Sequence, residues 1–100
     1  KGLRKMSGMY AVSVKVVSQK GRCFAGHKVG EEWLFDKDMK SPAGLCNAAF
    51  AALFPHIRML QGGGGFSAEA HPELDAGEAP DLACPDAECP VIFRVRRLPQ

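Results

Sequence analysis

Four cysteines and one of the three histidines are the residues whose types and spacing could carry chemistry in this chain. Cys23 and His27 are separated by three residues, and Gly26 loosens the backbone just before the imidazole. A thiolate and an imidazole at this separation can both reach one ion of zinc size, at about 2.0 to 2.3 Å. The alternative interpretation is that His27 is a histidine packed within a loop, because one Cys/His pair also occurs by chance.

Cys46 lies at the start of the helix that an alanine-rich segment predicts, directly after Gly44 and Leu45. The partial positive charge of a helix N-terminus stabilises a thiolate, so a cysteine there can act as nucleophile, redox thiol or metal ligand. Cysteine is also among the most commonly buried residues, and Cys46 could instead pack the helix against a sheet.

Cys84 and Cys89 stand on either side of a turn, each followed by a proline. This arrangement is compatible with a local disulfide, with a pair of metal ligands, or with one functional and one incidental cysteine. No Cys-x-x-Cys occurs in the chain, which argues against a thioredoxin-like dithiol and against the usual iron–sulfur sequence runs.

The elements that must position these residues follow from hydrophobic periodicity. Residues 10–17 and 91–96 alternate between apolar and polar positions, as strands with one buried face do, and residues 31–35 predict a short strand between them. Residues 45–54 predict a helix, which Pro55 either kinks or follows with a second, short helix. We therefore expect an α+β fold: a small antiparallel sheet, its first and last strands paired, with the helix on one face.

Length and composition predict one domain. The 100 residues are 46% hydrophobic and 24% charged, which is ordinary globular usage. We expect a flexible segment over residues 1–9, a single α+β domain over 10–98, and within it an irregular acidic loop over 62–83. The basic start and the polar alternation that follows do not form a signal peptide, and no apolar run could cross a bilayer. We expect a cytoplasmic protein without a membrane partner, in which cysteines are more often ligands or reactive thiols than disulfides.

Charge is unevenly distributed along the chain. The net charge is only +2, yet residues 62–93 contain seven acidic side chains and neither lysine nor arginine. We interpret this segment as a solvated acidic loop that the neighbouring basic strand balances. Nucleic acid is not an expected partner, because no aromatic residues are interleaved with the basic ones.

The ordered set of motifs resembles a family of small uncharacterised prokaryotic cysteine-containing proteins, common in anaerobes, over nearly all of residues 10–98. The resemblance rests on a valine-rich strand, Gln19-Lys20-Gly21, Cys23, the run from Ala25 to Glu31, Gly44-Leu45-Cys46, Ala49, Leu53, Pro55, a glycine pair and Cys84-Pro85-Asp86. It implies that Cys23, His27, Cys46 and Cys84 belong to a shared pattern and that Cys89 is particular to this chain. The tetraglycine at 62–65, with no tryptophan after it, departs from the pattern.

Three hypotheses follow. The first is a metal-binding protein in which Cys23, His27, Cys46 and Cys84 hold zinc or iron, as a closed tetrahedral site would. The second is a thiol enzyme or redox protein with Cys46 as nucleophile, His27 as base and Cys84 as resolving thiol. The third is an accessory module with structural cysteines, which binds a protein partner or a second copy of itself.

Overall fold

Four strands and one helix make up the regular structure of the protein, in a computed structural model that describes residues 9–38 and 40–99. In chain order these are β1 (Val12–Gln19), β2 (Glu32–Phe35), α1 (Asn47–Gln61), β3 (Leu82–Ala83) and β4 (Val91–Arg97). The strands form one antiparallel sheet in the order β2-β1-β4-β3. The predicted α+β fold is confirmed. The flexible segment predicted for residues 1–9 lies, apart from Met9, outside the described residues.

Alternation in β1 and β4 sorts their side chains between the two faces of the sheet. Val14 of β1 lies opposite Val95 of β4, and both are fully buried toward α1. Lys15 lies opposite Arg94 on the other face, where both are exposed. The predicted pairing of these two strands is confirmed in part, because its register shifts once, between Val16 and Ser18. A strand with period-2 alternation buries one face only, which gives the sheet an apolar and a charged side.

The helix packs on the apolar face of the sheet. Ala49, Leu53, Ile57 and Leu60 recur at helical spacing and are all buried there. The prediction of a helix over residues 45–54 needs correction at both ends, since α1 begins at Asn47 and continues through Pro55 to Gln61.

The helix continues through Pro55, because the hydrogen bond that this proline removes lies on the exposed side of the helix. A proline inside a helix removes the hydrogen bond to the carbonyl four residues earlier, here that of Ala51. Both Pro55 and Ala51 are exposed, so water can satisfy that carbonyl, while burial of Ile57 and Leu60 holds the following turns on the sheet. Within residues 9–38 and 40–99, no helix is both long and apolar enough to cross a membrane.

Arg97, the last residue of β4, fastens the C-terminal end of α1. Its Nη1 atom donates hydrogen bonds to the carbonyl oxygens of Leu60, at 3.0 Å, and Gly64, at 2.7 Å. The guanidinium also lies 4.8 Å from the centre of the Tyr10 ring, a cation–π arrangement. One side chain therefore joins the end of the sheet, the end of the helix and the glycine segment.

The acidic loop is partly ordered against β4. The bidentate pair of Arg94 with Asp81 and the pair of Arg96 with Glu78 attach it to the charged face of the sheet, as the sequence interpretation expected. The irregular loop predicted over 62–83 is shorter by two residues, because Leu82 and Ala83 pair with β4 as strand β3.

Replacement of Arg97 by methionine tests the fastening of the helix. The Arg97→Met protein loses two hydrogen bonds from a charged donor and leaves two carbonyls without their partner. We expect its free energy of unfolding, measured by urea denaturation, to fall by about 1–3 kcal/mol. The matched control is Arg94→Met, which removes an exposed ion pair on the same strand and should have a smaller effect. Equal effects of the two substitutions would contradict the assignment.

Glu78 should make stability pH-dependent. The backbone N–H of Asp75 and the guanidinium of Arg96 both bind its carboxylate, and they hold the pKa of Glu78 below its ordinary value. A lowered pKa stabilises the fold above the unfolded-state value of about 4.3, and the contribution is lost as the pH falls below it. The difference in unfolding free energy between the native protein and Glu78→Gln should thus be constant above about pH 5 and shrink toward pH 3. If the difference in unfolding free energy between the two proteins does not vary with pH, the role assigned to Glu78 is wrong.

Candidate functional site

All four cysteines line one pocket at the end of the sheet where β1 finishes and β4 begins. The pocket has a volume of about 200 Å³ and lies between the β1–β2 loop, the start of α1 and the turn between β3 and β4. Cys23 comes from the first of these segments, Cys46 from the second, and Cys84 and Cys89 from the third. Asp86 is the one charged side chain among the nine residues that line it; the others are cysteine, alanine, phenylalanine and proline.

The β1–β2 loop and the β3–β4 turn are in direct contact beside the pocket. The N–H of Lys20 donates to the carbonyl of Pro90 at 3.1 Å, which extends the β1–β4 pairing beyond the strands. The Cys89 sulfur packs against Gly21, where a Cβ atom would stand only 2.8 Å from it. Gly21 also has a φ of 71°, in the left-handed region that favours glycine. A glycine two residues before Cys23 thus allows the two cysteine-bearing segments to approach each other.

Cys46 is the N-cap residue of α1, as its position in the sequence predicted. Its carbonyl accepts the first helical hydrogen bond, from the N–H of Phe50 at 2.9 Å, and its side chain makes no capping hydrogen bond. The thiol therefore lies at the positive end of the helix dipole and accepts no hydrogen bond from the N–H groups of the first helical turn.

Cys84 and Asp86 organise the turn between β3 and β4. The Cys84 sulfur accepts a hydrogen bond from the N–H of Val91 at 3.3 Å, and the N–H of Cys84 donates to the carbonyl of Val91 at 2.9 Å. One oxygen of Asp86 accepts from the N–H groups of Glu88, at 3.0 Å, and Cys89, at 3.1 Å. The carboxylate thus shapes the turn, and the N–H of Val91 fixes the position of the Cys84 sulfur.

His27 supports the site from behind and does not line the pocket. It is only 4% exposed, and its Nε2 atom accepts a hydrogen bond from the backbone N–H of Cys46 at 3.0 Å. Because Nε2 is an acceptor, the ring proton is assigned to Nδ1, which donates to the carboxylate of Glu31 at 3.1 Å. Glu31 also accepts from the N–H of Lys28. His27 therefore ties the start of α1 to the β1–β2 loop.

The residues that sequence analysis proposed as ligands are thus brought together only in part. Cys23, Cys46 and Cys84 share the pocket, His27 reaches it through the backbone of Cys46, and Cys89 takes a place on the wall. Within residues 9–38 and 40–99, no three His, Cys, Asp or Glu side chains stand close enough together to hold a metal ion as they are. The four-residue ligand set Cys23, His27, Cys46 and Cys84 stays a prediction.

Sequence analysis left Cys89 out of the predicted ligand set and missed Glu31, although each had a signal in the sequence. Cys89 follows Cys84 by five residues, and both precede proline, a repeat that places a thiol on each side of one turn. Glu31 lies four residues after His27, a separation at which a carboxylate can meet an imidazole across a short loop.

Comparison of the chain with protein-family models, with curated proteins and with solved structures gave no match. The resemblance to a prokaryotic cysteine-containing family accordingly stays a prediction. The fold and the site define the protein as a small α+β domain whose distinguishing feature is a pocket lined by thiols.

Replacement of His27 tests its supporting role. In His27→Asn the N–H of Cys46 and the carboxylate of Glu31 both lose a buried partner. We expect the free energy of unfolding to fall by about 1–3 kcal/mol and Cys46 to react faster with a thiol reagent under native conditions. The matched control is His71→Asn, which removes an exposed histidine–carboxylate pair with Glu73 at a similar distance, 3.2 Å. A His27 variant that behaves like this control would refute the assignment.

Proposed function

We propose that this protein binds a thiophilic metal centre, containing zinc or iron, with the thiolates of Cys23, Cys46, Cys84 and Cys89 as ligands. The observation that carries the proposal is the convergence of all four cysteines on one pocket from three segments of the chain. Soft thiolate ligands prefer zinc, iron–sulfur centres and copper(I) over magnesium and calcium. Cys89 takes the fourth ligand position in place of His27.

The surroundings of the thiols suit negative charge. The N-terminus of α1 stands at Cys46, and the N–H of Val91 points at the sulfur of Cys84. The remaining wall of the pocket is apolar except for Asp86, and an apolar wall strengthens the attraction between thiolates and a cation. A bound centre would add a further link among the three segments that carry the cysteines, so metal binding would also stabilise the fold.

His27 acts in this proposal as a positioning residue. Metal-binding side chains depend on neighbours that hold them in place, and loss of such a neighbour commonly weakens binding by 10- to 100-fold. His27 holds the backbone of Cys46 at 3.0 Å and is itself held by Glu31. Ligation by His27 would require its Nε2 atom to give up the Cys46 N–H, which would leave a donor at the start of α1 unpaired.

The two alternative functions receive less support. A thiol enzyme with His27 as base requires the imidazole to face the Cys46 sulfur, but its Nε2 atom is bonded to the Cys46 backbone. An accessory module with structural cysteines agrees with the packing of Cys23, Cys46 and Cys84 against the core, but it gives no reason for all four thiols to line one pocket. All four are free thiols, which supports placement of the protein in a reducing compartment such as the cytoplasm.

Metal analysis of protein purified without a histidine tag tests this function. We expect bound zinc or iron together with thiols that are protected from a thiol reagent until a chelator is added. Cys84→Ser should lower metal affinity at least tenfold, whereas His71→Asn should leave it unchanged. At free metal concentrations of about 100 times Kd, removal of the metal should lower the free energy of unfolding by about 2.7 kcal/mol. Metal-free protein whose four thiols react at once, even after incubation with zinc or ferrous iron, would rule the proposal out.

A further inference from the structure

The space between the four thiols is larger than one metal ion requires. Four thiolates on a single tetrahedral ion at about 2.3 Å stand roughly 3.8 Å from one another and enclose no room for solvent. The pocket between these cysteines has a volume of about 200 Å³, many times the ~10–15 Å³ that one water molecule needs. Among the described residues no group of three potential ligands is gathered as a single ion demands. The pocket that the four cysteines line thus offers more space than a single ion fills.

The wall of the pocket resists contraction around a single ion. Cys84 is held by reciprocal hydrogen bonds with Val91, one of which ends on its sulfur. Cys46 is held at the head of α1 by its N–H bond to buried His27. The sulfur of Cys89 already rests against Gly21. These contacts favour an occupant that spans the pocket over one that draws all four sulfurs together.

We infer that the occupant is an iron–sulfur cluster held by Cys23, Cys46, Cys84 and Cys89. The inference rests on the proposed function and specifies the centre that fills the pocket. Four thiolates cannot complete the coordination of two or more metal ions alone, so a polynuclear centre here must bring bridging ligands with it. In iron–sulfur clusters inorganic sulfide supplies the bridges, and four cysteine thiolates hold the [2Fe–2S] and [4Fe–4S] types.

Two further features of the pocket suit such a cluster. The N–H of Val91 donates to the Cys84 sulfur, and hydrogen bonds to sulfur are one of the means by which proteins adjust the potential of a cluster. Phe24 lines the pocket beside Cys23 but is 93% exposed, so its ring stands at the mouth without an apolar neighbour. A cluster in the pocket would give that ring a contact surface. Cysteines from three separate segments also remove the need for a Cys-x-x-Cys run, whose absence from the sequence argued against a cluster.

Anaerobic reconstitution distinguishes this centre from a single ion. The full chain is incubated with ferric and ferrous iron and sulfide, and in parallel with zinc alone, and is then separated from unbound reagents. Iron, acid-labile sulfide and zinc are quantified per chain. We expect iron and sulfide in equal amounts, two or four of each per chain, with charge-transfer absorption in the visible range and a cluster Mössbauer spectrum.

Variants decide whether the cluster occupies this pocket. Cys23→Ser, Cys46→Ser and Cys89→Ser should each retain at least tenfold less iron and sulfide, and His71→Asn should match the native protein. Circular dichroism first confirms that each variant keeps the fold, and only then are its bound iron and sulfide compared with those of the native protein. One zinc or iron ion per chain without sulfide, with protected thiols, would overturn the cluster and leave the proposed function standing. Absence of any bound metal would overturn both, and unchanged iron and sulfide in Cys89→Ser would overturn the four-cysteine assignment.

Discussion

Antiparallel pairing of β1 with β4 is the constraint on which the rest of this structure depends. It places Gln19, at the end of β1, opposite Val91, at the start of β4. The chain leaves β1 toward Cys23 and enters β4 from Cys84 and Cys89, so this register alone brings three thiols to the same end of the sheet. The bond from Lys20 to Pro90 continues the ladder outward and fixes the distance between the two connecting segments.

Burial of the apolar sheet face supplies the second half of the arrangement. The valines of β1 and β4 require a cover, and α1 provides it with Leu53, Ile57 and Leu60. Once the helix lies across the sheet, its N-terminus points to the same end as the β1–β2 loop. His27 then joins the two through hydrogen bonds to Cys46 and Glu31. The opposite end of the helix is held by Arg97 and by the buried side chain of Gln61, which donates to the carbonyl oxygens of Phe35 and Asp36.

The pocket shows how a small fold can hold thiols apart and still direct them to one place. The sulfur of Cys84 accepts a hydrogen bond from Val91, the sulfur of Cys89 contacts Gly21, and the backbone of Cys46 is fixed at the helix start. The proposed preference for a centre that spans the pocket rests on these backbone contacts. The ordered part of the acidic segment packs against β4, through Glu78 and Asp81.

Much of the fold could be predicted from the sequence, because local patterns carry it. Period-2 alternation identifies β1 and β4, alanine-rich helical spacing identifies α1, and both patterns report which side of an element is buried. The position of Cys46 at the start of α1 follows from the same helical spacing. The continuation of α1 through Pro55 could not be predicted, since it depends on the burial of Ile57 and Leu60 against the sheet. The two-residue strand β3 likewise depends on tertiary contacts, since it pairs with β4 and its Leu82 packs against the core.

For the site, the sequence by itself determined which cysteines are available and on which kinds of segment they lie. The tertiary structure decided which of them line the same pocket. Cys23, Cys46 and Cys84 were recognisable from their positions at a loop, a helix start and a turn. That Cys89 joins them and His27 stands behind them follows from the β1–β4 register and from the direction of the Cys46 N–H. Spacing along a chain limits only what neighbours in sequence can reach, whereas a pocket built from three distant segments exists only after the sheet has paired and the helix has packed on it.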